Sequence, residues 1–364
     1  MVKRSGRSLC GGFVIVLAVT WVLALTWVAA ASCTQVDSLV EVATSPRQWT
    51  GIAVSKVGRV FVCFPRWSEG VPISVGELDS SGAVHAYPTD ELNSWKVGDD
   101  PGEKFVCVQS VYVDGKDRLW ILDPASPMFQ GVVKGGPKLV RVDLKTDKPV
   151  RRYHFDEAIA PKGSYLNDVR IDTATETAFI TDSGLGAMVV LDLKTGAARR
   201  VLENHPSTKA EDIQIVIAEK PFPIVVHSDG VALDQNGGWL YYQALTGKTM
   251  YRVTAAALRD DSLSADELAS KVERFAESGV SDGLLFGPGG VYVSALEENS
   301  IKLVNADGEV TRLATDPRLL WPDSFSPGSD GSIWFTTSQI HLGPNPPSPY
   351  RIFKLDPKIH SRNE

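Results

Sequence analysis

Recognisable catalytic signatures are scarce in this chain. It has no Gly-x-Ser-x-Gly nucleophile elbow, no phosphate-binding loop, no Cys-x-x-Cys pair and no His-Glu-x-x-His. Serine acyl transfer on an elbow, phosphate-loop nucleotide chemistry, dithiol redox chemistry and helix-borne zinc proteolysis therefore find no support. There are only four cysteines in 364 residues, so a dense disulfide scaffold is excluded. Helical patterning is equally thin: a capping box at Ser264 and Glu267 predicts one helix, over 264–275, on a blade-to-blade connection. Positive charge is in deficit, with a net charge of −7 that becomes −10 once the three basic residues of the first 32 are removed. A surface of that sign makes nucleic acid a poor partner.

Only one stretch is long and apolar. Lys3, Arg4 and Arg7 precede a run from Gly11 to Ala31 broken only by Thr20 and Thr26, the pattern of a secretory leader covering residues 1–32. Ala29-Ala-Ala31 suits ordinary signal peptidase, whereas Ala30-Ala-Ser-Cys33 approximates a bacterial lipobox with alanine in place of its usual leucine. Either route places residues 33–364 outside the cytoplasm, secreted or periplasmic, with a lipid anchor at Cys33 in the second case. Contact with a membrane is expected only through that leader or anchor.

The chain is rich in repeated hairpins. His227-Ser-Asp229-Gly-Val-Ala-Leu-Asp234-Gln-Asn-Gly-Gly-Trp239-Leu-Tyr-Tyr242 joins an alternating strand to an aromatic strand through turn residues, with a carboxylate at its entrance. The same unit recurs with entrance residues Thr50, Gln109, Asn167, Asp229, Asp282 and Asp323, separated by 41 to 62 residues. That period, with strands throughout, predicts an all-β, six-bladed β-propeller with four-stranded blades in a single domain. Residues 38–43 form a strand without a hairpin partner, expected to close the last blade, 323–357. The connection 203–226 is longer than a blade turn and is expected to lie over one end of the channel. Cys63 and Cys107 fall on adjacent blades, so a disulfide between them and two buried thiols are both open.

Each entrance residue starts an innermost strand, so the six should converge around the axis as a ligand-binding ring. Three carboxylates sharing that space require a hard cation, a cationic ligand or raised pKa values. Calcium or magnesium would suit the all-oxygen set, with Asn167, Asp229 and Asp282 as ligands. The plainer alternative is that an Asp before Gly accepts backbone N–H bonds and holds the turn. Asp229, Asp282 and His227 are the candidates for proton transfer, with Asp168 and Tyr165 nearby. Trp49, Trp321 and Phe325 flank ring positions and could stack on an aromatic amine or catechol-like ligand, or simply pack the blades.

Val60-Phe-Val-Cys-Phe-Pro-Arg-Trp67 with Gly70-Val-Pro72, Arg118-Leu-Trp-Ile-Leu-Asp123, Tyr165-Leu-Asn-Asp-Val169, Ala178-Phe-Ile-Thr-Asp-Ser183, Asp229-Gly-Val-Ala-Leu233 and Leu320-Trp-Pro-Asp-Ser-Phe325 together resemble the major royal jelly protein/Yellow family. The resemblance covers nearly all of the chain after the leader and implies a secreted six-bladed propeller. The lean loops suggest a bacterial branch, while insect members are linked to dopachrome conversion or to binding small amines. More distantly, the chain is similar to gluconolactonase and senescence-marker propellers, which hold a divalent metal with a Glu, two Asn and an Asp. Asn167 matches one Asn and Asp282 the Asp, but Asp229 stands for the second Asn and Thr50 for the Glu. Tyr165 occupies the place of their substrate-contacting Arg, which counts against sugar-lactone hydrolysis. A small-molecule binder is the leading expectation. The alternatives are an enzyme, either a metal-dependent lactonase-like hydrolase or a dopachrome-type isomerase, and a non-catalytic interaction scaffold.

Overall fold

The structure, a computed structural model, describes residues 39–356. The expected leader 1–32 and its Cys33 lie outside the described residues. Six antiparallel four-stranded sheets form the blades, and their innermost strands are Ile52–Val54, Ser110–Val113, Leu166–Asp172, Ser228–Asp234, Ser281–Gly287 and Pro322–Pro327. Each innermost strand touches the next, and the sixth touches the first, so the ring is closed. In the first five blades the strands follow chain order because short turns feed each strand beside its predecessor.

The sixth blade is completed by Leu39–Ser45, which pairs antiparallel with Tyr350–Leu355 as its outermost strand. Trp49 secures this closure: its ring is fully buried and its indole N–H donates to the Arg351 carbonyl at 3.2 Å. Joining the two ends of the chain removes the exposed edge a linear array would leave.

The apolar core lies between blades. Phe61, Val111, Leu119 and Val140 pack blade one on blade two, while Phe179, Met188, Val231 and Tyr242 pack three on four. These inward positions alternate with partners on the other sheet face, as strand geometry requires.

The helix expected over 264–275 is shorter and placed differently. Ser264 and Glu267 form the capping box, but the helix covers only Ala265–Ala269. Glu273–Glu277 is instead the fourth strand of blade four, paired with Thr249–Thr254. The helix thus lies within blade four, between its third and fourth strands. The unpaired edge of the third strand takes those residues because sheet pairing outweighs a short local helical preference.

No Cys63–Cys107 disulfide forms; both thiols are free and buried. The Cys63 thiol donates to the Gln109 carbonyl at 3.1 Å, and burial pushes both thiols up to about 12. They behave as small apolar residues.

Candidate functional site at the axial channel mouth

The four blades whose entrances carry Asn167, Asp229, Asp282 and Asp323 share a device absent from the first two. In each, the pairing of the first two strands shifts register at the entrance: between Leu166 and Val169, Ser228 and Val231, Ser281 and Leu284, and Pro322 and Phe325. Blades one and two pair without a shift. Such bulges re-aim a side chain by breaking the strict alternation of the strand. In three blades a second-strand hydroxyl satisfies the amides this frees. Thr181 accepts from Asp168 N at 3.1 Å, Ser294 from Asp282 N and Gly283 N at 3.1 and 2.9 Å, and Thr336 from Ser324 N at 3.3 Å. Glycine after the carboxylate is a packing requirement here. A Cβ on Gly230 would lie 2.1 Å from the Asp282 carbonyl, and one on Gly283 2.0 Å from that of Asp323.

The six entrance residues are all buried around the axis. Four of them, Gln109, Asn167, Asp229 and Asp282, form part of the wall of a cavity of about 640 Å³ at one end of the channel. Thr50 and Asp323 do not line it. The Thr50 hydroxyl donates to the Gln109 carbonyl at 3.0 Å, and Asp323 accepts from the Ser324 hydroxyl at 3.0 Å. Asn167 donates its amide N–H to Asp229, and the Trp321 indole N–H donates to Asp282 at 2.6 Å.

The carboxyls are raised together. Asp282 is pushed up to about 7, chiefly by burial and further by the charge of Asp168, against the opposing bonds from Trp321 and Asp229. Asp229 is raised well above the usual range by burial and then by the charge of Asp282, and Asp323 likewise by burial and Asp282. Burial also raises Asp168, opposed by Arg170 at 3.6 Å and by the Ser110 hydroxyl at 3.0 Å. Neutral protonated carboxyls therefore relieve the crowding of negative charge.

The ring departs at two positions from the all-oxygen set expected for a divalent cation. Thr50 stands where a carboxylate ligand would be, with its hydroxyl already committed, and Asn167 turns an N–H toward Asp229. Among the described residues no group of three or more His, Cys, Asp or Glu is arranged to hold a metal.

Above this polar floor the walls are mostly apolar, with Lys162 and several serines among them. On one side Trp67, Phe129 and Tyr165 are in ring contact in series, at centroid distances of 5.2 and 5.7 Å. Tyr165 donates to Gln109 Oε1 at 2.9 Å and accepts from Trp67 Nε1 at 2.6 Å. On the other side stand Trp321, Leu245 and Ile340, with Phe222, Ile224 and Val225 from the connection 203–226. That connection therefore does reach the channel mouth, carrying the hairpin Ile215–Ile217 and Lys220–Phe222. His227 lies outside the cavity wall; its Nδ1 accepts from the Ala210 amide at 2.9 Å, tying down the same connection. Of the three aromatics flanking the ring only Trp321 faces the cavity, whereas Trp49 and Phe325 pack blades. Phe129 went unnoticed in the sequence because it sits in a Pro/Gly-rich loop without periodicity.

The family model described as major royal jelly protein matches residues 106–341, more than half of the chain. The chain is 27% identical over 180 residues to dopaminechrome tautomerase of Drosophila melanogaster, covering 43% of this chain and 36% of the relative. It is 27% identical over 124 residues to the same fly's L-dopachrome tautomerase yellow-f, covering 32% of this chain and 28% of the relative. The matches thus span about a third of these curated relatives. In fold it is similar to a gluconolactonase of Xanthomonas campestris, with a TM-score of 0.54 at 14% identity over 87% of this chain and 88% of that one.

Proposed function

Because this chain belongs to the major royal jelly protein family, we propose that it is an exported protein that binds a small aromatic molecule at the axial channel mouth and moves a proton on it. The observation that carries this reading is the pairing of Asp229 and Asp282, both raised, on the floor of an aromatic-walled cavity. A carboxyl near 7 is divided between its two forms in neutral water, so Asp282 can take a proton and its neighbour can give one.

In the tautomerisation proposed, the Asp282 carboxylate removes a proton from a ring carbon and the C–H electron pair becomes a new ring double bond. The displaced π pair ends on a heteroatom or carbon that takes the proton of Asp229. The two carboxyls then exchange a proton across their hydrogen bond, and no proton is gained or lost overall. Trp67, Phe129 and Tyr165 hold the ring by stacking. The two fly relatives named as tautomerases of dopaminechrome and L-dopachrome support that choice of substrate class. Tyr165 in place of a lactonase arginine, and the committed Thr50 hydroxyl, weigh against a metal-dependent hydrolase.

The test follows the decay of an indoline-quinone by absorbance, with wild type and Asp282→Asn, in EDTA and in calcium. Loss of turnover in the variant, with no effect of EDTA, is expected. Ligand binding without turnover in wild type would reduce the reading to a binder. Turnover abolished by EDTA and restored by calcium would favour the hydrolase-type site.

A further inference from the structure

Among the described residues, the wall of the axial cavity carries one cationic side chain, Lys162. It stands on the aromatic side, three positions before Tyr165, in a turn closed by the Ser164 amide on the Pro161 carbonyl at 2.8 Å. That turn is fixed from two directions. On one side the Val132 amide donates to the Lys162 carbonyl at 3.2 Å. A Cβ on Gly131 would lie 3.4 and 3.8 Å from Lys162 Cγ and Cε, so the lysine stem runs along the loop that carries Phe129. On the other side a Cβ on Gly184 would lie 2.3 Å from the Gly163 carbonyl, and the Tyr165 amide donates to Asp182 at 2.8 Å.

Two polar groups of this turn lack partners. Lys162 is exposed, and its ammonium makes no hydrogen bond or ion pair among the described residues. Ser164 also stands in the cavity wall; it is 2% exposed and its hydroxyl has no hydrogen-bond partner. A buried hydroxyl without a partner is costly, and a ligand that supplies an acceptor relieves it. An ammonium and a hydroxyl both donate, so the group they suit together is an oxyanion. The floor of the cavity has the opposite character, since its charged residues are Asp229 and Asp282. A ligand carboxylate therefore finds a cation at the turn and none at the floor.

We infer that Lys162 and Ser164 form a carboxylate subsite, and that this cavity takes an aromatic acid in preference to the same ring without its carboxylate. With the carboxylate at the turn, the ring lies beside Phe129 and Tyr165 and presents its other edge to Asp229 and Asp282. Lys162 is then the residue that determines specificity. The assignment rests on the reading of the cavity as an aromatic-ligand site and names which ligands that site takes, but it does not need the ligand to be turned over. Because the ammonium stands in contact with water, its pairing should change affinity about fivefold and should weaken with salt.

The experiment uses the purified protein and two stable probes, indoline-2-carboxylate and uncharged indoline. Each is titrated by calorimetry into wild type, Lys162→Gln, Lys162→Arg and Ser164→Ala. Wild type should bind the carboxylate about fivefold more tightly than indoline, and added salt should narrow that gap. Lys162→Gln should bring the two affinities together, Lys162→Arg should keep them apart, and Ser164→Ala should reduce the difference. Equal binding of the probes by wild type, tighter binding of indoline, binding of neither, or a preference that survives in Lys162→Gln overturns the subsite. The proton-transfer reading fails separately. If the preference is present and depends on Lys162 while wild type turns over no indoline-quinone, with or without a carboxylate, that reading falls and the subsite stands. Equal probe binding with turnover of both quinones at the same kcat/KM defeats the subsite alone.

Discussion

Asp282→Asn gives the sharpest test of the electrostatics. In the folded protein the Asp282 carboxyl stands at about 7, against about 4 for a solvated aspartate. Between those values the folded state holds a proton that the unfolded chain has released, so this group's contribution to stability falls as pH rises and levels off above about 7. The slope cannot exceed ~1.4 kcal/mol per pH unit for one proton, and a gap of about three pH units integrates to ~4 kcal/mol. Asparagine keeps the side-chain shape and an acceptor for the Trp321 indole while removing the charge. Asp229 should also relax, because the Asp282 charge is the second cause of its elevation after burial. Burial lowers His205, His227 and His341, which works in the opposite direction below about 6.5. Those residues are common to both proteins and cancel in the difference. Urea unfolding of wild type and variant at pH 4, 5.5, 7 and 8 should show the variant gaining on wild type with each step, by ~4 kcal/mol in all. A difference that is flat in pH, or that grows in favour of wild type, would refute a buried, proton-holding Asp282.

Other outcomes follow from single contacts. Trp321→Phe removes the donor to Asp282, and a hydrogen bond to a charged group is worth ~1.5–3 kcal/mol. The Asp282 titration should therefore rise by about one pH unit or more, read by difference infrared spectroscopy of the carbonyl band of protonated carboxyls against pH; a fall would contradict the assigned bond. A chain lacking residues 39–45 loses the outer strand of blade six and exposes Tyr350–Leu355. It should unfold at much lower urea and self-associate, whereas unchanged stability on analytical ultracentrifugation and urea titration would mean that the ring closes without it. Cys63 and Cys107 should resist thiol reagents in the folded protein and react as two free thiols once it is unfolded without reductant. Rapid labelling of either in the folded state would contradict their burial.

The blades were legible in the sequence because their information is local. Alternation in Val231 and Leu233, turn residues from Asp234 to Gly238 and an aromatic return strand recur at a fixed offset from each entrance, and each copy folds as the pattern dictates. The partnerless strand at 38–43 also carried its answer, since a closed ring leaves one place for it. Its weakest point was 273–277, where a true capping box beside the segment drew the expected helix too far. The hydrogen bonds available along the third strand of blade four decided the matter instead.

The repeat numbered the six strand entrances, and four of them, Gln109, Asn167, Asp229 and Asp282, stand in the wall of the candidate cavity. Only the tertiary structure decided that Thr50 and Asp323 turn away from the cavity, that bulges aim Asn167, Asp229 and Asp282 at the axis, and that Phe129 and Val225 come from distant loops to wall it. It also laid Arg170 beside Asp168 and across to the Leu284 carbonyl of blade five. Spacing along a chain records a strand's period and face, whereas burial, charge balance and hydrogen-bond direction depend on neighbours that arrive from other blades when the ring closes.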